Sequence, residues 1–142
     1  MKRFTLTFIL AYFSVICFAG PNGKVLESFK RLCPTATNVS WAEEGDYYVV
    51  HFTKEKETIK MWYSQDAEVV KTLRYYGKDL LCPLVKARVE KNYPGKEIFG
   101  ITEVASDEGV QYEIILEDQK RWYHIVSDVY GNTTVTDKFY KS

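Results

Sequence analysis

Residues 47–63 read Tyr47-Tyr48-Val49-Val50-His51-Phe52-Thr53-Lys54-Glu55-Lys56-Glu57-Thr58-Ile59-Lys60-Met61-Trp62-Tyr63. Large apolar side chains alternate with polar ones on both sides of the charged centre Lys54-Glu55-Lys56-Glu57. That is the pattern of two half-buried antiparallel strands joined by a solvated turn. Strand geometry then assigns faces: if Tyr48, Val50 and Phe52 turn toward a core, Tyr47, Val49 and His51 go to the other side, with Lys60 and Trp62 beside them. A β-bulge would reverse that assignment for the tryptophan.

Outward from this hairpin the alternation continues. Val39 and Trp41 precede the turn Glu44-Gly45-Asp46, and Val69, Leu73 and Tyr75 follow the turn Gln65-Asp66-Ala67, so the stretch contains four strands. Upstream, Val25, Leu26, Phe29 and Leu32 fall at helical spacing and Pro34 stops the run. After Gly77 a second helical run groups Leu81, Leu84, Val85 and Val89 and ends at Tyr93-Pro94-Gly95.

The pattern then repeats. A shift of 60 positions carries Val25, Phe29 and Pro34 onto Val85, Val89 and Pro94, and Val39 and Trp41 onto Phe99 and Ile101. A shift of 64 carries Tyr48, Val50 and Phe52 onto Tyr112, Ile114 and Leu116, and Ile59 and Met61 onto Tyr123 and Ile125. The four-residue difference is expected in the first hairpin loop, where Ala105-Ser106-Asp107-Glu108-Gly109 looks longer than its partner. The expected architecture is α+β: two tandem helix-plus-four-strand repeats, about residues 24–76 and 81–141, forming an antiparallel sheet within one domain over 20–142. In the second unit the same alternation sends Glu113, Ile115, Trp122 and His124 to the face away from the core.

The first residues carry an export signal. Lys2 and Arg3 precede an uncharged stretch from Phe4 to Phe18, and Cys17 and Ala19 stand at the −3 and −1 positions of a signal-peptidase site. Residues 1–19 are therefore read as a signal peptide, and the protein as periplasmic or extracellular. A membrane anchor would need roughly 20 apolar residues, more than this run offers. A lipidated Cys17 is a poor fit with Ile16 before it and Phe18 after it.

Over the whole chain 19 Lys and Arg balance 19 Asp and Glu, 46% of residues are hydrophobic and 27% charged. Such a composition excludes a disordered chain. The zero net charge gives no attraction toward nucleic acid or anionic lipid. Removing the leader leaves 17 basic against 19 acidic residues. Export also bears on Cys33 and Cys82, the two cysteines left after cleavage. Either they form a disulfide closing a loop of about 50 residues and stabilising by roughly 3–4 kcal/mol, or they are buried free thiols acting as small apolar fillers.

The helix ending Phe29-x-x-x-Cys33-Pro34 followed by Val39-Ser40-Trp41, the strand Tyr48-Val49-Val50-His51-Phe52, the start of the second helix at Leu81-x-Pro83-x-Val85, Tyr93-Pro94-Gly95, and Asp128-x-x-Gly131-Asn132 together resemble the PepSY-like proteins with a β-lactamase-inhibitor-protein-like fold, small exported proteins of Bacteroides-type bacteria. The resemblance covers the whole mature chain. It implies an antiparallel sheet with two helices on one face, the opposite face clasping a protein in the namesake inhibitor. Two positions depart from the family pattern: Cys82 separates Leu81 from Pro83, and Ala67 stands where a glycine is usual. The first departure admits Cys82 as a partner recruited for Cys33. Fold alone does not carry inhibition across.

The candidate site is therefore the uncovered face, with Tyr47, His51, Lys60, Trp62, Trp122 and His124. Large aromatics among polar groups anchor protein interfaces or stack on sugar rings; the plainer reading is that they stabilise the sheet through cross-strand contacts. Catalytic chemistry has little support, since neither histidine has a serine elbow or carboxylate pair beside it. No CxxC or HxxxH spacing suggests a metal, Asp128–Asn132 lacks the acidic series of a calcium loop, and no cofactor is expected. The sequence points first to a non-enzymatic protein-binding or inhibitor-like module, whose partner is another protein or a second copy in a homodimer. A carbohydrate or small-ligand binding protein is the alternative, and an enzyme using His51 or His124 is the least supported.

Overall fold

The computed structural model describes residues 19–142. Most of the predicted leader, with Cys17, thus lies outside the described residues. Helix α1 (Gly23–Leu32) is followed by β1 (Thr37–Glu44), β2 (Tyr47–Lys54), β3 (Glu57–Tyr63) and β4 (Val69–Tyr76). Helix α2 (Pro83–Asn92) then leads to β5 (Glu97–Ser106), β6 (Gly109–Glu117), β7 (Arg121–Asp128) and β8 (Thr133–Tyr140). The eight strands make one antiparallel sheet in sequence order. The class is α+β, as expected.

Local chemistry explains the helix ends. The Asn22 side chain accepts a hydrogen bond from the Val25 N–H at 3.0 Å and donates to the Gln65 carbonyl at 3.0 Å. It thus caps α1 and ties the cap to the β3–β4 turn. Pro83 opens α2, where its missing N–H costs nothing. Both helices close the same way, with the Cys33 N–H donating to Phe29 and the Tyr93 N–H to Val89.

Each helix covers its own half of the sheet. Val25 and Phe29 of α1 pack on Val50, Phe52, Ile59 and Tyr63. Val85 and Val89 of α2, with Leu81, pack on Tyr76, Ile101, Tyr112, Ile114, Leu116, Tyr123 and Ile125. The register links these strand residues across the sheet, with Val50 opposite Met61, Tyr76 opposite Ile101 and Ile114 opposite Ile125. Both helices therefore lie on one face. Leu84, grouped with Val85 in the sequence reading, is solvent-exposed, because a straight helix on a flat sheet buries mainly one i, i+4 line.

Between the two cores the helix face is polar. Arg74 of β4 makes a two-pronged contact with Glu57 of β3, at 3.1 and 2.7 Å, and reaches Glu103 of β5 at 2.8 Å. The Tyr76 hydroxyl donates to the other Glu103 oxygen at 2.6 Å. Nothing in the sequence reading anticipated this seam, since its members are far apart along the chain.

One expectation is corrected. The second unit's extra residues do not enlarge a loop: Gly45-Asp46 and Asp107-Glu108 are both two-residue turns, and β5 and β6 are instead longer than β1 and β2. Cys33 and Cys82 are free thiols. Each is half-buried and packs against a different core, Cys33 beside α1 and Cys82 beside α2. Burial pushes the Cys33 thiol above its ordinary pKa.

Candidate functional site

The face opposite the helices carries every residue singled out from the sequence. Val49 stands opposite Trp62, His51 opposite Lys60, Ile115 opposite His124 and Glu117 opposite Trp122. Tyr47 lies two residues before Val49 on the same strand, which puts it on the same side. Bulges do occur, but elsewhere: the register slips at Val70, Phe99 and Thr136, and near Asn38. Neither tryptophan changes face.

The residues form two groups. In the first, Glu44 at the end of β1 accepts from Lys60 Nζ at 2.6 Å and from the Trp62 indole N–H at 2.9 Å. Lys60 and Lys71 both stand near the indole ring, at 4.4 and 5.3 Å from its centroid. Cations over an indole face are attracted by its quadrupole, so the ring is held from its edge and from its face. The same two donors hold the Glu44 carboxyl below its ordinary pKa, Lys60 contributing most. Val49 is fully buried although it lies on the open face, flanked in register by Ala42 and Trp62. Tyr47 and His51 remain exposed.

The second group sits across the sheet. Trp122 meets Phe99 edge-on at 4.8 Å and lies opposite Phe139. His124 meets Phe139 edge-on at 5.3 Å. Lys141 lies over the Trp122 ring at 4.5 Å and pairs with Glu117. Phe99 and Phe139 are exposed. The sequence reading missed both. Strict alternation puts Phe99 on the core side with Ile101, and only the bulge, in which Ile98 and Gly100 face consecutive residues of β6, turns it out toward Trp122. Phe139 was recoverable in principle, as the antiparallel partner of Trp122.

Four strand spacings of about 4.8 Å and eight residues of about 3.3 Å rise separate Trp62 from Trp122, so the two groups are about 30 Å apart along the sheet. Strands β4–β6 fill the interval with Leu73, Tyr75, Thr102, Val104, Glu113 and Ile115. A shallow depression beside Trp62 is bounded by Glu44, Tyr47, Lys71, Val104 and Glu108, the last carried by the long β5–β6 hairpin.

His51 and His124 stand on β2 and β7, in separate groups. Among the described residues no three His, Cys, Asp or Glu side chains converge as a metal site, and no helix is long and apolar enough to cross a membrane.

No protein-family model matches the sequence, and no curated protein matches it. Solved structures do. A BLIP-like protein from Bacteroides fragilis is 16% identical, with a TM-score of 0.65 over 87% of this chain and 88% of that one. DUF2874 family proteins from Bacteroides uniformis and Bacteroides ovatus are 20% and 22% identical, with TM-scores of 0.61 and 0.62. Each of these alignments spans 84% of this chain, and 88% and 87% of the two proteins respectively. At such identities the likeness speaks to the fold, which is BLIP-like.

Proposed function

We propose that the chain is an exported, non-enzymatic binding protein that docks a protein partner across the open face of its sheet. The observation that carries this reading is the spacing of the two aromatic groups. A sugar or other small ligand can touch one of them, whereas a surface of about 800 Å² per partner, the usual size for a specific protein interface, is roughly 30 Å across. Aromatic side chains braced by charged neighbours are also the composition that dominates interface energetics.

Three finer readings belong with it. Export rests on the leader-like residues 1–19. Membership of the PepSY-like group rests on the motifs running from Phe29 to Gly131. An origin in two tandem copies is supported by matching backbone hydrogen bonds: Ser64 to Glu68 and Ala67 to Ser64 in one half correspond to Asp128 to Asn132 and Gly131 to Asp128 in the other.

The test is affinity capture from the exported protein fraction of the source organism. The wild type is compared with Trp62→Ala, Trp122→Ala and the double variant, each checked for native folding by circular dichroism. Capture of one defined protein by the wild type, weakened in each single variant and lost in the double, is the expected result. Equal capture by all four removes the open face from the function. Quenching of tryptophan fluorescence by soluble glycans, without protein capture, favours the carbohydrate alternative.

A further inference from the structure

We infer that β8 is the contact strand of a homodimer in which it pairs antiparallel with β8 of a second copy, centred on Phe139. The strand lies at the end of the sheet order with β7 as its one neighbour, and its residues from Thr134 to Tyr140 are exposed. Phe139 and Tyr140 are 49% and 74% exposed, large apolar surfaces for an edge. Exposed edge strands present unpaired backbone groups that recruit another strand unless something blocks them.

The backbone phase fixes which groups are offered. The Lys141 N–H donates to the Lys120 carbonyl at 2.9 Å. In an antiparallel ladder successive residues turn their backbone groups to opposite sides. Residues 137, 139 and 141 therefore face β7, while Lys138 and Tyr140 direct N–H and C=O outward. A two-fold axis through Phe139, perpendicular to the sheet, brings Lys138 of one copy opposite Tyr140 of the other, twice. Each of these is a hydrogen-bonded pair in which both N–H groups donate and both carbonyls accept.

Side chains agree with that register. Phe139 faces Phe139, each already beside its own Trp122. Asp137, which has no ion pair among the described residues, faces Lys141 of the other copy, and Lys138 faces the Tyr140 ring. Opposite charges and cation–aromatic pairs are favourable across strands, and like charges are not.

Neighbouring registers are worse. Centring on Lys138 sets two ammonium groups against each other. Centring on Asp137 sets two carboxylates together and runs into the bulge at Thr136. Centring on Tyr140 shortens the ladder and forms no ion pair. The favoured dimer also keeps both open faces on the same side, joining the two Phe99–Trp122–Phe139 groups into one strip.

The experiment measures association of the protein by sedimentation velocity across a concentration series, with two variants. Lys138→Pro removes an outward N–H that no intrachain bond uses, a substitution edge strands tolerate. It is expected to leave the melting temperature nearly unchanged and raise the dimer dissociation constant at least about tenfold. Phe139→Cys places two thiols across a non-hydrogen-bonded pair with Cα atoms about 4.5 Å apart, within disulfide reach. It is expected to form a covalent dimer under mild oxidation at least about ten times faster than Tyr75→Cys, on the same face in mid-sheet. A monomer at every concentration, a dimer unaffected by Lys138→Pro, or equal cross-linking of the two cysteine variants overturns the inference.

Discussion

Arg74 holds Glu57 in a two-pronged ion pair, with Nη2 and Nε at 2.7 and 3.1 Å from the two carboxylate oxygens, and its remaining nitrogen binds Glu103 at 2.8 Å. The two glutamate side chains are 17% and 15% exposed, the Arg74 side chain 36%. One cation thus neutralises two largely buried carboxylates in the gap that neither helix covers. Removing it leaves both uncompensated, which is the expensive way to break such a contact.

Arg74→Met is therefore expected to destabilise the fold by about 2–3 kcal/mol at neutral pH, at or below the lower end of the buried-pair range because Arg74 is partly solvated. Denaturant melts of the two proteins at pH 7 measure it; a loss under about 0.5 kcal/mol would show that neither carboxylate depends on Arg74.

Ala67 occupies a left-handed conformation, φ 67°, in a turn whose hydrogen bonds match those around Gly131, φ 82°. A side chain there costs roughly 1–2 kcal/mol. Ala67→Gly is expected to stabilise by up to about 1 kcal/mol, the relief of strain being partly offset by the greater freedom of glycine in the unfolded chain. Gly131→Ala should do the reverse and more, since a Cβ at that position would come within 2.8 Å of the Arg88 side chain on α2. Thermal melts of the two variants should therefore move in opposite directions.

Asp118 in the β6–β7 turn accepts from the Tyr123 hydroxyl at 2.7 Å and from the Lys120 and Arg121 N–H groups at 2.8 Å each. The tyrosine contributes most to holding its carboxyl down at about 2. A carboxyl depressed in the folded state adds stability that is complete above the unfolded value near 4 and is lost as the pH falls toward 2. Titration followed by carboxyl NMR should place the Asp118 midpoint near 2, and Tyr123→Phe should raise it. A midpoint near 4 in the wild type would mean the turn is open in solution.

Trp62 and Trp122 are far enough apart for their effects on partner binding to be independent. Once a partner is in hand, the affinity lost in the Trp62→Ala/Trp122→Ala double variant should equal the combined losses of the singles to within about 0.5 kcal/mol. Isothermal titration calorimetry measures all four corners of the cycle. Dependence on one tryptophan alone would confine the site to one end of the sheet.

The alternation of apolar residues and the turn chemistry between them were enough to specify eight strands, two helices and the side of the sheet on which Trp62, His51, Trp122 and His124 emerge. Those properties are local: period-two patterning assigns a face without knowledge of what lies opposite, and proline marks helix ends through its own backbone chemistry. The tertiary structure decided what depends on residues distant in the chain. It turned Phe99 outward through a one-residue bulge, drew Glu57, Arg74 and Glu103 into one seam, and set Cys33 and Cys82 into different cores. It also split the six candidate residues into two groups about 30 Å apart along the sheet. Register and strand order are set by pairing energies summed over the whole sheet, and one inserted residue reverses a face, so no window of sequence contains that information.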